Sequence, residues 1–289
     1  MTSKIAYQGE AGANSHIACR EAFPRHEPLA CGTFEDAFQA VKDGAVALAM
    51  IPIDNSVAGR VADIHHLMPR SNLYIAGEHF LRVHHQLLAL PGADPAAIGT
   101  VHSHVHALGQ CRKVIREMKL KPVVAADTAG AARELSEIKD KTRAVIATAL
   151  AAEIYGLQVI RRDIEDEEHN TTRFVVLSAA PQDAGPEDGP VVTSFVFRVR
   201  NVPAALYKAM GGFATNGVNM TKLESYQLEG QFSATQFYAD IEGHPSERNV
   251  RLALEELEFF TTHLRVLGVY KASPFRAELA RMMQPDQGG

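Results

Sequence analysis

Between residues 179 and 190 the chain carries three prolines and two glycines among small and acidic residues, and no apolar period survives there. Proline fixes φ and removes a hydrogen-bond donor, so neither helix nor sheet continues through such a stretch. It reads as a linker, and it divides the 289 residues into a long N-terminal part and a short C-terminal one. Each part then needs its own core, which the 46% of apolar residues can fill.

The two parts have different rhythms. Before the linker, short apolar runs at 3–7, 46–51, 83–89, 100–101, 122–126, 144–146 and 173–178 read as strands. Helical spacing occupies 15–22, 35–42, 107–118, 129–135 and 147–155, the last ended by Gly156. That alternation predicts an α/β architecture with largely parallel sheets, in two lobes. After the linker, strands at 191–199, 218–226, 232–241 and 263–271 enclose helices at 204–213 and 246–262, with Asn216-Gly217 closing the first and Ser246 as N-cap of the second. The order is βαββαβ, which predicts a ferredoxin-like sandwich.

Several function classes drop out on composition. Lys and Arg total 29 against 34 Asp and Glu, a net charge of −5, without the basic excess that a phosphate backbone demands. Cys19, Cys31 and Cys111 are odd in number and form no CxxC pair, which argues against a disulfide framework or structural zinc and for a reducing cytoplasm. The residues after Met1 show no basic and apolar leader. The most apolar runs, 44–53 and 144–152, fall short of the roughly 18 residues needed to cross a bilayer. Neither nucleic acid nor membrane is an expected partner.

Four polar segments sit where strands run into helices or loops: Gly9 to Ser15, Pro52 to Ser56, His102 to Cys111 and Asn170 to Phe174. In open α/β sheets small ligands bind at the carboxyl ends of strands, facing helix N-termini. Hydroxyls, amides and one Arg suit an oxygen-rich anion. Taken singly, each has a plainer reading. Gly9 and Gly12 lack the rest of a phosphate loop. Asp54, Asn55 and Ser56 make a good Asx turn or cap, and Thr172 suits a strand entry. His102, His104 and His106 would share one face of a strand, but the helix expected from Ala107 breaks that period and no carboxylate completes a metal site. His65-His66 and His84-His85 are expected at the surface or in caps. The acidic run from Asp163 to Glu168 lacks the glycine and spacing of a calcium loop and reads as solvated.

Taken together, six strings resemble the prephenate dehydratase family, in the family's order. They are Tyr7-Gln-Gly-Glu-Ala-Gly, Ile51-Pro-Ile-Asp-Asn-Ser, Ser103-His-Val-His-Ala-Leu-Gly-Gln-Cys, Asp127-Thr-Ala-Gly-Ala-Ala, Ala147-Thr-Ala-Leu-Ala-Ala-Glu-Ile-Tyr-Gly-Leu and Asn170-Thr-Thr-Arg-Phe. The resemblance implies a two-lobed, periplasmic-binding-protein-like catalytic domain over 1–178, a linker at 179–190, an ACT regulatory domain of ferredoxin-like fold over 191–274 and a tail at 275–289. One lobe would hold roughly residues 1–78 with the return after 160, the other 79–160. The implied reaction converts prephenate to phenylpyruvate, water and carbon dioxide, a step of phenylalanine biosynthesis, with no metal or organic cofactor.

By the same resemblance Thr172 matches the family's essential threonine, and Asn55 and Gln110 match positions that orient the substrate. Asn14, Ser15, Asp54, Ser103 and Arg173 are further substrate contacts. Asp54 stands where the family usually has Glu, and Val105 and His106 replace the usual Pro and Gln, changes that bear on the choice between prephenate and arogenate. In the second domain Pro203-Ala-Ala-Leu206 stands for the family's Gly-Ala-Leu loop, with Ala204 for Gly. Glu224-Ser225 survives from a Glu-Ser-Arg-Pro string whose last two places are Tyr226 and Gln227. Ala204, Ala205, Leu206, Asn219, Met220, Glu224 and Ser225 are thereby the implied effector contacts, L-phenylalanine the implied effector, and a homodimer or homotetramer the implied assembly. Two other classes remain open on the residues alone: a two-lobed binder without catalysis, and a metal-dependent hydrolase on the His102–His106 cluster. The ending Gln-Pro-Asp-Gln-Gly-Gly is expected to be disordered.

Overall fold

The computed structural model describes residues 3–200, 202–227 and 234–283. In chain order the elements are β1 (Lys4–Gln8), α1 (Asn14–Ala22), β2 (Glu27–Cys31), α2 (Phe34–Lys42), β3 (Leu48–Asn55), β4 (Gly59–Arg60), α3 (Ala62–Ser71), β5 (Tyr74–Arg82), β6 (Gln86–Ala89), β7 (Thr100–Ser103), α4 (Val105–Gln110), α5 (Arg112–Glu117), β8 (Lys121–Val124), α6 (Thr128–Ile138), β9 (Arg143–Ala147), α7 (Ala149–Tyr155), β10 (Gln158–Arg161) and β11 (Thr171–Ser178). There follow β12 (Val191–Val199), α8 (Ala205–Thr215), β13 (Met220–Gln227), β14 (Ala234–Glu242), α9 (Arg248–Phe260), β15 (Thr261–Lys271) and α10 (Pro274–Met283).

Three sheets result. The first runs β2-β1-β3-β11-β5, with β1 parallel to both β2 and β3. Ile5, Ala6 and Tyr7 are all buried, as continuous apolar runs in parallel strands are. The second runs β10-β6-β9-β7-β8, parallel across β9-β7-β8 and antiparallel at β6. The third, β13-β14-β12-β15, is antiparallel throughout. Its core joins Phe195, Phe197, Phe237 and Ile241 of the sheet to Phe213 of α8 and to Val250, Ala253 and Leu257 of α9. The architecture is thus two α/β lobes, periplasmic-binding-protein-like, and a ferredoxin-like βαββαβ module, the fold class expected.

The chain divides into two compact units, Met1–Val61 with Phe80–Phe174, and Ala62–His79 with Val175–Gly289. In the first unit Gly12, at φ +90°, lies against α7, where an added Cβ would come within 2.7 Å of Ala151 Cα. Thr148 caps α7 by accepting from the Ala151 N–H at 3.0 Å, and donates its own hydrogen to Gly12 O at 2.5 Å. The first-lobe turn and the second-lobe helix are therefore tied by groups that admit no larger residue.

In the second unit Gly268 of β15 lets Ile75 O of β5 lie where a side chain would otherwise stand. Arg265 donates to Pro69 O and Leu73 O, each at 3.1 Å, satisfying carbonyls at the end of α3 and in the turn after it. Arg276 of α10 holds Glu78 of β5 through two nitrogens, at 2.6 and 2.9 Å.

Some expectations need correction. The helix expected over 107–118 is two, α4 and α5, broken at Cys111 with φ −126° and ψ 31°. The run 83–89 is strand only from Gln86. Ser246 does not cap α9: the N-cap is Glu247, and Ser246 Oγ pairs with His244 Nδ1 at 2.7 Å. β2, β4, α3, β5, β10 and α10 were not anticipated. Residues 232–233 and the last six residues, expected as strand and as disordered, lie outside the described residues.

Candidate active site

Asn55 closes β3, where the strand gives way to a tight turn. Its Oδ1 accepts from the Val57 and Ala58 N–H groups at 3.0 and 2.7 Å, an Asx turn that leaves the side chain one orientation. Its Nδ2 therefore points the other way, donating to Thr172 Oγ1 at 3.0 Å, to Asn170 Oδ1 at 2.8 Å and toward Thr171 O at 3.3 Å. Ser56 strengthens the same junction, its Oγ donating to His169 O at 2.7 Å and accepting from Thr171 N at 2.9 Å.

This contact dictates what Thr172 can do. Its oxygen is an acceptor for Asn55, so its hydroxyl hydrogen has to go elsewhere, and among the described residues nothing accepts it. A half-buried hydroxyl donor is what an oxygen leaving a substrate requires.

Gln110 enters from the other lobe, at the end of α4. Asn170 Nδ2 donates to Gln110 Oε1 at 2.9 Å, and His85 Nε2 lies 2.9 Å from the same oxygen. Asn170 is almost fully buried, at 1% exposure, so its amide is a bridge between lobes and not a ligand. Asn55, Gln110 and Thr172, the three residues expected to carry the chemistry, are thus brought together through Asn170, which the sequence alone does not single out.

Asn14 and Ser15 open α1, whose N-cap, Ala13, offers no side-chain cap. The first-turn N–H groups of such a helix are an anion-binding feature. His16 Nδ1 accepts from Gly12 N at 3.0 Å, so that nitrogen carries no hydrogen, and burial lowers the imidazole pKa. Asp54 is half-buried and opposite Arg60 in the β3–β4 pair. Two of the expected contacts sit deeper. Ser103 is fully buried with its hydroxyl donating to Ile146 O at 2.6 Å, and Arg173 is buried and not a free cation.

The histidine string behaves as expected, while His85 and part of the acidic run depart from expectation. His102 pairs with Thr100 Oγ1 at 3.2 Å, His104 caps α4 and His106 lies within it, so the three do not converge. His85 is buried at 3% exposure, not a surface residue. Part of the acidic run is structural, while Glu167 and Glu168 are exposed: Glu165 Oε2 accepts from His85 N at 2.9 Å, Glu165 Oε1 pairs with His84 Nδ1 at 2.8 Å, and Asp163 Oδ1 accepts from Gln86 at 3.0 Å. Asp166 caps α5, accepting from Arg112 N and Lys113 N at 2.9 and 3.1 Å. These acids lie at least 53 positions from the residues they hold, so only the folded chain reveals their roles.

In the second unit Ala204 precedes α8 at φ +59°, and Asn219 donates to Glu242 at 2.9 Å. Glu224 lies 3.3 Å from Lys222 on β13, the edge strand of its sheet.

Two α/β lobes, periplasmic-binding-protein-like, followed by a ferredoxin-like module define the class of protein to which this fold belongs. A family model described as prephenate dehydratase matches residues 5–182. A bifunctional N-acyl-homoserine lactone acylase/prephenate dehydratase of Komagataeibacter europaeus is 52% identical over 272 residues, covering 94% of this chain and 97% of that protein. Arogenate dehydratase 2 of Petunia hybrida is 37% identical over 281 residues, 92% of this chain and 71% of that one. The structure of prephenate dehydratase from Arthrobacter aurescens in complex with L-Phe superposes with a TM-score of 0.84 at 25% identity, covering 96% of this chain and 98% of that one. The chain belongs to the prephenate dehydratase family, whose members are dehydratase lyases of aromatic amino acid biosynthesis.

Proposed function

We propose that this chain is a prephenate dehydratase, taking prephenate to phenylpyruvate with loss of water and carbon dioxide. The observation that carries the reading is the Asn55–Thr172 contact, which leaves the threonine hydroxyl as a donor at the meeting point of the lobes. In the reaction the carboxylate carbon–carbon bond breaks, its electron pair enters the ring, and the ring hydroxyl departs with one added proton as water. Thr172 hydrogen-bonds that oxygen and stabilises the charge growing on it, while the proton itself comes from solvent. Gln110 Nε2 and the first turn of α1, with Asn14 and Ser15, orient the anionic groups; Asp54, Ser103 and Arg173 shape the surroundings. The domain division that goes with this reading is a catalytic part over 1–178, a linker over 179–190 and an ACT module over 191–274.

Removing one preorganised donor costs about 3 kcal/mol, or about a hundredfold in rate. Chelator-treated protein should convert prephenate, and Thr172→Ala should lose at least about a hundredfold in kcat. Turnover by neither protein would sink the reading. Arogenate, run beside prephenate, decides the preferred substrate, a question that the plant arogenate dehydratases at 37% identity make specific. The acylase activity in the name of the relative at 52% identity calls for one further arm, an N-acyl-homoserine lactone.

Regulation belongs to the same proposal. The neighbouring structure in complex with L-Phe, the edge strand β13 and the 81% exposed Tyr207 of α8 support phenylalanine binding by the C-terminal module and association of two copies or four through it. Phenylalanine should lower the rate and raise the melting temperature, and a titration moving neither would remove regulation from the proposal. No helix among the described residues is long and apolar enough to cross a membrane.

A further inference from the structure

His85 lies at the far end of a chain of hydrogen bonds whose direction is set at its beginning. The Val57 and Ala58 N–H groups can only donate, so Asn55 Oδ1 accepts and Asn55 Nδ2 donates to Asn170 Oδ1 at 2.8 Å. Asn170 then presents its own nitrogen, which donates to Gln110 Oε1 at 2.9 Å. That atom is therefore an oxygen, and the histidine nitrogen 2.9 Å from it is a donor: His85 carries its hydrogen on Nε2. Both hydrogens of Gln110 Nε2 are left over, with no acceptor among the described residues.

We propose that His85 is a positioning residue for the dehydratase reaction, holding Gln110 by its carbonyl oxygen so that the amide nitrogen is presented to the substrate. Two donors, Asn170 and His85, then occupy both lone pairs of that oxygen, and the amide cannot turn over without setting donor against donor twice. This rests on the proposed function, in which Gln110 Nε2 meets an anionic group.

The surroundings of His85 suit a fixed neutral tautomer. The residue is 3% exposed, and burial lowers its pKa even though Gln110 and Glu165 act the other way and His84 adds to the lowering. Its backbone is clamped as well, N–H to Glu165 at 2.9 Å and carbonyl to Ile164 N at 2.9 Å. Of the other acids of that loop, Asp163 accepts from Gln86 and lies 3.5 Å from His84, Asp166 caps the start of α5, and Glu167 and Glu168 are exposed. Protonation of Nδ1 would leave the Nε2–H in place, so the hold on Gln110 does not depend on the charge of the ring.

A double-mutant cycle tests the idea. His85→Leu should lower kcat/KM roughly tenfold, the scale of one lost neutral hydrogen bond, with most of the change in KM. In a Gln110→Ala background the same change should have no further effect on kcat/KM, although it lowers the melting temperature in both. His85→Gln, which keeps a donor, should restore most of the loss. Equal losses of kcat/KM in both backgrounds would overturn the proposal and make His85 a packing residue only. Nitrogen-15 NMR of the wild-type imidazole supplies a readout independent of turnover: hydrogen on Nε2 is expected, and hydrogen on Nδ1 alone overturns the assignment. If the wild type turns over neither prephenate nor arogenate, the functional reading fails and the role given to His85 falls with it, while the NMR result still judges the hydrogen-bond chain.

Discussion

Arg276 grips Glu78 with two nitrogens, Nε on Oε1 at 2.6 Å and Nη2 on Oε2 at 2.9 Å, and the carboxylate is fully shielded from solvent. The Ser273 N–H adds a third donor at 2.9 Å. A bidentate pair of this kind has both partners' geometry satisfied, and its value shows when one is removed. Glu78→Leu, which strands the partly buried guanidinium, should cost about 3 kcal/mol in urea unfolding. Glu78→Leu with Arg276→Met should recover most of it. A single-variant loss below about 1 kcal/mol would reduce the pair to surface strength.

Gly12 admits no side chain. Its φ of +90° and the 2.7 Å separation that a Cβ would have from Ala151 Cα act together. Gly12→Ala should destabilise the protein by about 2 kcal/mol or more through overpacking and backbone strain. Because the same turn leads into α1, activity should fall further than the unfolded fraction explains. A variant with wild-type stability would mean that the two lobes separate freely at this point.

Ala204 is an L-residue in the left-handed region, at φ +59° and ψ +23°. Glycine suits that backbone better than alanine, and this chain carries strain of about 1 kcal/mol there. Ala204→Gly should therefore stabilise by up to about 1 kcal/mol, an unusual sign for a change to glycine. Denaturant titration decides, and a loss of stability would place the loop elsewhere.

Acid should loosen the protein before its carboxylates titrate. His16, His85, His102 and His104 all have pKa values lowered below the ordinary 6.5, with burial the largest cause in each. The unfolded chain takes up protons as pH falls through 6.5 while the folded one resists, so stability is lost below that point and is flat above it for these groups. Asp140 and Asp188, whose pKa values are lowered by hydrogen bonds, act the same way but only below the ordinary 3.8. The melting temperature should fall between pH 7 and 5, with a shallower slope in His16→Gln. A flat profile across that window would contradict the burial of these rings.

Much of this was legible because the features are local. The linker, the strand–helix alternation and the βαββαβ order depend on periods that the chain displays within a few residues. Long-range pairings were not. α3 escaped because Pro69 and His65-His66 interrupt its apolar spacing, while its last turn is supported by Arg265, 196 positions away. Thr172, Asn55 and Gln110 were found through family strings. Asn170, which joins them, and His85, which ends the chain, show their purpose only when residues 115 and 25 positions apart meet.

The hydrogen bonds from Asn55 through Asn170 to Gln110 run one way, and a single atom sets the sense. Exchange of its nitrogen for oxygen, the outcome of slow ammonia loss from an asparagine side chain, would leave the hold on Val57 and Ala58 intact. The new carboxylate would draw the hydrogen of Thr172 to itself, and Asn170 would have to turn its nitrogen toward Asn55, so that the order of donors and acceptors reversed as far as Gln110. Such a form has lost the donors on which the proposed reaction rests, a kind of ageing that an assay of fresh against stored material would register.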